Sequence, residues 1–351
     1  MIMNEAIGKD TARIGSLTIG PGYPVAVQTM WEKPLNEDDA ALRGRLELLS
    51  SLGCAMIRFA IPNMGALAAI KRVKRMTDMP VIADIHFDYQ LALACMDVVD
   101  KIRINPGNIG APWKVAEVLS RAAGNGVCIR IGINAGSLPA DLRRRPDTAA
   151  AMTEAAEREL ELIEAAGDKP EIVFSLKSSD IETTVKANSA FREKYRYPLH
   201  IGLTEAGPII PGLVKSTLAL SRLLERNVGE TLRISLSDAP ENEVIAGRQL
   251  LKALGKSSDT VTVVSCPQCG RAEFPVHAFL RDLGYRLYAI RKNITVAVMG
   301  CVVNGPEEAK HADIGITGSG NSVVIFRKGT ILRKVSVEEA VPLFLSEVEK
   351  L

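Results

Sequence analysis

Short β-rich runs alternate with amphipathic helical stretches through the first two-thirds of this chain, and no other feature narrows its fold as much. The runs are VAVQTM (25–30), AMIRFAIP (55–62), PVIADIHF (80–87), KIRINPG (101–107), VCIRIGINAG (127–136), EIVFSLKSSD (171–180), LHIGLTEAG (199–207) and LRISLS (232–237). Stretches such as Asp38 to Ser51 and Asp147 to Ala166 separate them, with apolar residues at helical spacing. Eight βα units over roughly 230 residues fit a (β/α)8 TIM barrel by count and length. An open doubly wound sheet usually has fewer strands and a Gly-rich first turn, and no GxGxxG follows the first run here. The preceding segment, ARIGSLTIGPGYP, reads as a β-hairpin closing the barrel bottom.

Composition shifts at ALGKSSDTVT, from Ala253. The expected division is a barrel over 1–254 and a small α/β domain over 255–351. The second part holds β-rich runs at VTVVSCPQCGR, ITVAVMG, ADIGIT and SVVIFRKG, a helix around Phe274 to Leu283, and an amphipathic helix from Ser336 to Lys350. A formal net charge of +2 is too small to draw in nucleic acid or a membrane surface by bulk attraction. The longest apolar run, ITVAVMGCVV, is about half the ~20 residues a membrane helix needs, and MIMNEAIGKD lacks the regions of a secretory signal. A cytoplasmic location is expected.

The polar residues in the barrel runs fall into a pattern. Arg58, Arg103, Arg130, Lys177 and Arg233 each have apolar neighbours on both sides, so period-two alternation sends each to one face of its strand. If that face is the interior, five cations converge on the C-terminal mouth, where TIM-barrel active sites lie. Such a set suits an anion, with Arg donating paired bonds to phosphate oxygens and Asn105, Asn108, Asn134, Ser175 and Thr204 completing a cradle. The competing reading pairs each Arg with an acidic neighbour inside the barrel. Asp84, His86 and Glu205 share the rim as titratable groups. Glu205 is a candidate for proton handling, and His86 for a neutral donor or a shuttle.

Six cysteines in 351 residues are too few for a disulfide framework. Cys54, Cys95 and Cys128 lie in apolar stretches and read as core. Cys266 and Cys269 in SCPQCGR and Cys301 in MGCVVNGPEEA form a set of three, with Glu308 placed to be a fourth donor. The residues alone leave three solutions open: an iron-sulfur cluster on three thiolates and a carboxylate, a Cys3His zinc site using His277 or His311, and a CxxC dithiol.

The strings PVAVQ, ADIHFDYQLAL, KIRINPGNIG, RIGINAGSL, HIGLTEAG, SCPQCGR and VAVMGCVVNGP, in this order, resemble bacterial 4-hydroxy-3-methylbut-2-enyl diphosphate synthases of the methylerythritol phosphate isoprenoid pathway. The likeness covers nearly the whole chain, and its most specific element is C-x2-C, x31, C-x6-E. It implies a TIM barrel followed by an iron-sulfur domain whose [4Fe-4S] cluster is held by Cys266, Cys269, Cys301 and Glu308, the last displaceable. It further implies reductive ring opening and dehydroxylation of 2-C-methyl-D-erythritol 2,4-cyclodiphosphate. Arg58, Asp84, His86, Arg103, Asn105, Arg130, Asn134, Ser175 and Lys177 would bind the substrate, Glu205 would be the catalytic acid, and Asn304 would lie beside the cluster. Flavodoxin or ferredoxin would donate the electrons, and the working unit would be a head-to-tail homodimer. The alternative is a non-redox TIM-barrel enzyme acting on a phosphorylated substrate, with a structural zinc tail. Two departures from the family's strings stand out: Glu307 replaces a glycine in NGPEEA, and TMWEKPLNED replaces an SMTNT-like string after the first strand.

Overall fold

The computed structural model describes residues 8–351 apart from 36–37, 106–108, 168, 271, 302–308 and 320–321. The chain divides into two compact units, Met1–Lys256 and Ser257–Leu351.

The first unit opens with an antiparallel hairpin of β1 (Ala12–Ile14) and β2 (Leu17–Ile19). Eight strands follow: β3 (Ala26–Met30), β4 (Met56–Ala60), β5 (Val81–Asp84), β6 (Lys101–Ile104), β7 (Cys128–Asn134), β8 (Ile172–Lys177), β9 (His200–Ile201) and β10 (Thr231–Leu232). Each lies within or at the edge of one of the eight runs. They pair in parallel in the order β8-β7-β6-β5-β4-β3-β10-β9. A bridge from Phe174 to Leu199 closes the ring, with the Phe174 N–H donating to the Pro198 carbonyl at 2.9 Å. The hairpin caps the N-terminal face as expected. Its Ala12, Ile14 and Ile19 pack in one buried cluster with Ala26, Met56, Ile82, Cys128 and Val173, which sit at the starts of their strands.

The two expected barrel helices form where the sequence places their caps. The Asp38 carboxylate accepts from the N–H groups of Ala40 and Ala41, opening Asp39–Ser51, and Asp147 accepts from Ala150, opening Thr148–Ala165. These side chains satisfy amide donors that have no partner within the helix.

The second unit holds β11 (Thr262–Ser265), β12 (Thr295–Met299), β13 (Ile314–Ser319), β14 (Ser322–Arg327) and β15 (Thr330–Val335), paired in that order. The first three are parallel and the last two antiparallel. The helices Val276–Tyr288 and Ala340–Glu349 bury Phe279, Leu283, Leu287, Phe344 and Val348 against Val296, Val298, Ile316 and Ile325. Three details differ from expectation. The first helix kinks at Gly284 (φ 50°, ψ −141°), near its expected end, and a further short helical stretch runs on to Tyr288, with Leu287 packed in the same core. The second starts at Ala340, after a turn in which the Glu339 N–H donates to the Ser336 hydroxyl at 3.3 Å. β15 was not expected, because TILRKV forms an exposed edge and lacks period-two alternation.

The barrel interior holds a fully buried lysine below the mouth. The Lys101 ammonium lies 3.3 Å from the Met56 thioether, and burial pushes it down to about 7. In the unfolded chain this lysine keeps its proton up to about 10.4. Between those values folding releases a proton, so stability falls as pH drops from 10 toward 7 and the penalty is constant below that. Lys101→Met should therefore be more stable than the parent at pH 7 and lose this advantage toward pH 10, with a difference in slope of up to about 1.4 kcal/mol per pH unit. Urea denaturation at several pH values measures it, and identical slopes for the two proteins would refute the buried neutral amine.

Candidate active site

Strand alternation brings the sequence-predicted cations and Asp84 together inside the barrel. Arg58 follows Met56 on the inward face of β4, Arg103 follows Lys101 on β6, Arg130 follows Cys128 on β7, and Ser175 and Lys177 follow Val173 on β8. Arg103, Arg130, Lys177, Asn105 and Asp84 are all less than a tenth exposed. The Asp84 carboxylate lies 3.2 Å from Arg103 Nη1 and 3.8 Å from Arg58 Nε. Burial alone would raise the Asp84 pKa, but the His86 ring and the guanidiniums of Arg58, Arg103 and Arg130 outweigh it and hold the carboxyl well below the usual range. Asp84 is thus a fixed anion among cations.

His86 is half-exposed and lies 2.7 Å from Arg103 Nη1 through Nε2. The same Nε2 lies 3.6 Å from Asp84 Oδ1, so the ring stands between the guanidinium and the carboxylate. Arg130 Nη1 donates to the Ser175 hydroxyl at 2.6 Å. The Nε groups of Arg103 and Arg130 are buried and have no partner among the described residues. Burial and the surrounding cations push Lys177 and Arg130 well below their ordinary values, and Arg58 down to about 10. Mutual repulsion among under-neutralised cations is relieved by an incoming anion.

Arg233 follows the acidic-neighbour reading instead. Its Nε and Nη2 each donate to Glu243 at 2.8 Å, and Glu243 also accepts from Thr29 Oγ1 and the Leu236 N–H. Glu243 sits on the following helix, Pro240–Ala253, ten residues after Arg233 and outside the run LRISLS, so the run by itself did not reveal it. Asn134 ends β7 opposite Lys177 and is partly buried. Glu205 is exposed, with a left-handed backbone at φ 52° on the loop after β9. Conformations of this kind cost a non-glycine residue energy and cluster at functional sites. Asn108 lies outside the described residues.

Two glycines escaped the sequence reading. Gly132 faces inward on β7, and a Cβ there would meet Arg103 Nε at 2.8 Å; at Gly202 it would meet the Arg233 carbonyl at 2.5 Å and Lys177 Nζ at 2.9 Å. Each leaves room that a long cationic side chain fills. Their signal was legible as glycine at an inward strand position.

In the second unit, β11 and β12 are adjacent and parallel, so Cys266 and Cys301 follow neighbouring strand ends. The Gly300 N–H donates to Cys266 Sγ at 3.1 Å. The Gly300 carbonyl accepts from Glu273 and Phe274, and Cys269 O accepts from Ala272, folding the CPQC loop back on the strand. Cys301 is buried, Cys266 partly buried and Cys269 exposed, and none of the six cysteines is in a disulfide. Gln268, between the first two, is left-handed at φ 66°. Arg271, Asn304, Glu307 and Glu308 lie outside the described residues.

A TIM barrel with inward cations and a separate α/β unit bearing three cysteines define a two-domain barrel enzyme. The GcpE TIM-barrel domain matches residues 9–248 and the GcpE protein C-terminal domain matches 262–350, and the chain belongs to this family. Similar curated proteins are the 4-hydroxy-3-methylbut-2-en-1-yl diphosphate synthases (flavodoxin) of Treponema denticola, 46% identical over 97% of this chain and 92% of the relative, and of Geobacter sulfurreducens, 42% identical over 97% and 96%. Among solved structures, a dihydropteroate synthetase with product has a TM-score of 0.50 at 13% identity, covering 71% of this chain and 99% of that one. That likeness shows the fold alone.

Gly132→Ala tests the packing of the cation set. The new methyl should displace Arg103 from Asp84 and raise KM for the substrate about tenfold or more, since small misplacements of binding groups are costly. Steady-state kinetics beside a thermal melt measure this, and an unchanged KM in a folded variant would remove Arg103 from the binding set.

Proposed function

We propose that this chain converts 2-C-methyl-D-erythritol 2,4-cyclodiphosphate to (E)-4-hydroxy-3-methylbut-2-en-1-yl diphosphate. The observation that carries the reading is the convergence of buried cations on one barrel, together with three cysteines at the strand ends of the second unit. The relatives' name fits this reductive reading and not a non-redox enzyme with structural zinc.

Arg58, Arg103, Arg130 and Lys177 hold the diphosphate oxygens, and Asn105, Asn134 and Ser175 donate the remaining hydrogen bonds. Asp84 keeps Arg58 and Arg103 aimed, and His86 steadies Arg103 from the rim. The donor set Cys266, Cys269 and Cys301, with the amide hydrogen bond on Cys266, suits a [4Fe-4S] cluster, and Glu308 would be its fourth, exchangeable ligand. When bound, that group would pass on, one at a time, the two electrons that the carrier donates and the substrate consumes. In the balance, the ring C–O bond breaks to leave a free phosphate oxygen and the adjacent hydroxyl departs. The two added electrons form the carbon–carbon double bond, and one proton turns the leaving hydroxide into water. Glu205 donates that proton. Flavodoxin is the electron carrier, the working unit is a head-to-tail homodimer, and the enzyme is cytoplasmic.

Anaerobically purified protein should be brown, with absorbance near 400 nm and about four irons per chain. Glu308→Ala should lose iron while Glu307→Ala keeps it. Stoichiometric zinc without colour would overturn the assignment, and iron loss only in Glu307→Ala would move the ligand.

A further inference from the structure

The loop after β3 borders a solvent-open pocket that the proposed reaction does not use. Trp31 is buried and stacks on Phe59 with ring centroids 5.8 Å apart. The Arg45 guanidinium lies 4.9 Å from the Trp31 ring centroid. Arg45 is itself held by Glu241 at 2.7 Å and Glu32 at 2.8 Å. Trp31 and Glu32 are the residues at which this chain leaves the usual string, and they lock the loop in place. Beside it lies a cavity of about 710 Å³ walled by Trp31, Leu35, Phe59, Pro62, Ala66 and Ala69, with Glu32 and Lys33 also on its lining. That is the size and apolar character of a small-molecule pocket.

The cavity adjoins the cation set. Met30 and Arg233 both line it. The Met30 thioether also lies 2.8 Å from Arg58 Nη2 and 3.5 Å from Arg233 Nη1. A ligand here meets apolar walls along most of its length and, at the Met30 and Arg233 end, lies next to the Arg58 guanidinium on the far side of the Met30 thioether. The five-carbon cyclic substrate carries hydroxyls and gains little from such walls, whereas an anion with a hydrocarbon tail is complementary to both ends.

We propose that this cavity is a tail-binding annex for linear diphosphates whose hydrocarbon chain is longer than five carbons. The head occupies the proposed diphosphate site, the tail lies along Met30, Phe59 and Ala69, and the ligand competes with the cyclic substrate. The proposal rests on the diphosphate-binding reading above.

The chain has two tryptophans, Trp31 and Trp113. In Trp113→Phe, emission therefore reports on Trp31, inside the annex. Titrating this full-length variant with geranyl diphosphate, inorganic pyrophosphate and geraniol separates head from tail. Geranyl diphosphate should change the emission, bind at least tenfold tighter than pyrophosphate, and inhibit turnover competitively, because methylenes in an apolar pocket contribute factors of this order. Geraniol should bind weakly. Ala69→Phe, and separately Ala66→Phe, should fill the cavity and bring geranyl diphosphate down to the pyrophosphate level while turnover of the cyclic substrate is kept; a thermal melt confirms folding. Equal binding of geranyl diphosphate and pyrophosphate, or an advantage that survives both filling variants, overturns the annex and leaves the diphosphate site standing. Failure of pyrophosphate and of the cyclic substrate to bind at all would bring down both readings.

Discussion

The barrel is built around an electrostatic imbalance. Arg58, Arg103, Arg130 and Lys177 converge on an interior in which Asp84 is the carboxylate closest to the set, while Glu243 is committed to Arg233. Burying charges without full compensation costs several kcal/mol per ion, and burial accordingly depresses the lysine and arginine protonation here. The parallel strands hold the set by hydrogen bonds that do not involve these side chains, so the cations cannot separate without breaking the sheet. Such a framework tolerates a destabilised interior because an anion removes the penalty when it binds.

The barrel's construction keeps this interior dry from below. The β1–β2 hairpin seals the N-terminal face with Ile14 and Ile19, so polar groups above it face a single opening at the strand C-termini. Gly132 and Gly202 provide the width for Arg103 and Lys177 at that level. Packing, charge and topology therefore act together: an aliphatic plug below, long cations in the middle, and at the rim Asn134 at the end of β7 and Glu205 on the loop after β9. The second unit applies the same logic to thiols. Parallel pairing of β11 and β12 ends both strands on one side, and the Gly300 amide turns toward Cys266 as a consequence of that pairing.

The eight barrel strands and the helices Asp39–Ser51 and Thr148–Ala165 were legible because each carries a local physical signature, either a short apolar run with turn residues or an Asp cap ahead of a helical pattern. The Asp38 and Asp147 caps sit where the sequence puts them. The inward lean of Arg58, Arg103, Arg130 and Lys177 was legible too, since alternation is a property of one strand. Partners were not. Nothing in LRISLS announces that Arg233 will be held by Glu243, and nothing in TILRKV announces a strand, because an exposed edge takes its order from β14.

Local chemistry thus set which elements form, which side chains face inward, and which three cysteines stand apart from the core ones. These depend only on a residue and its near neighbours in sequence. Tertiary structure alone decided which charges meet: Asp84 with Arg58 and Arg103, Glu243 with Arg233, and Met30 between Arg58 and the cavity lined by Trp31. Such pairings join residues on different strands and helices, and only strand pairing and helix packing bring those side chains together.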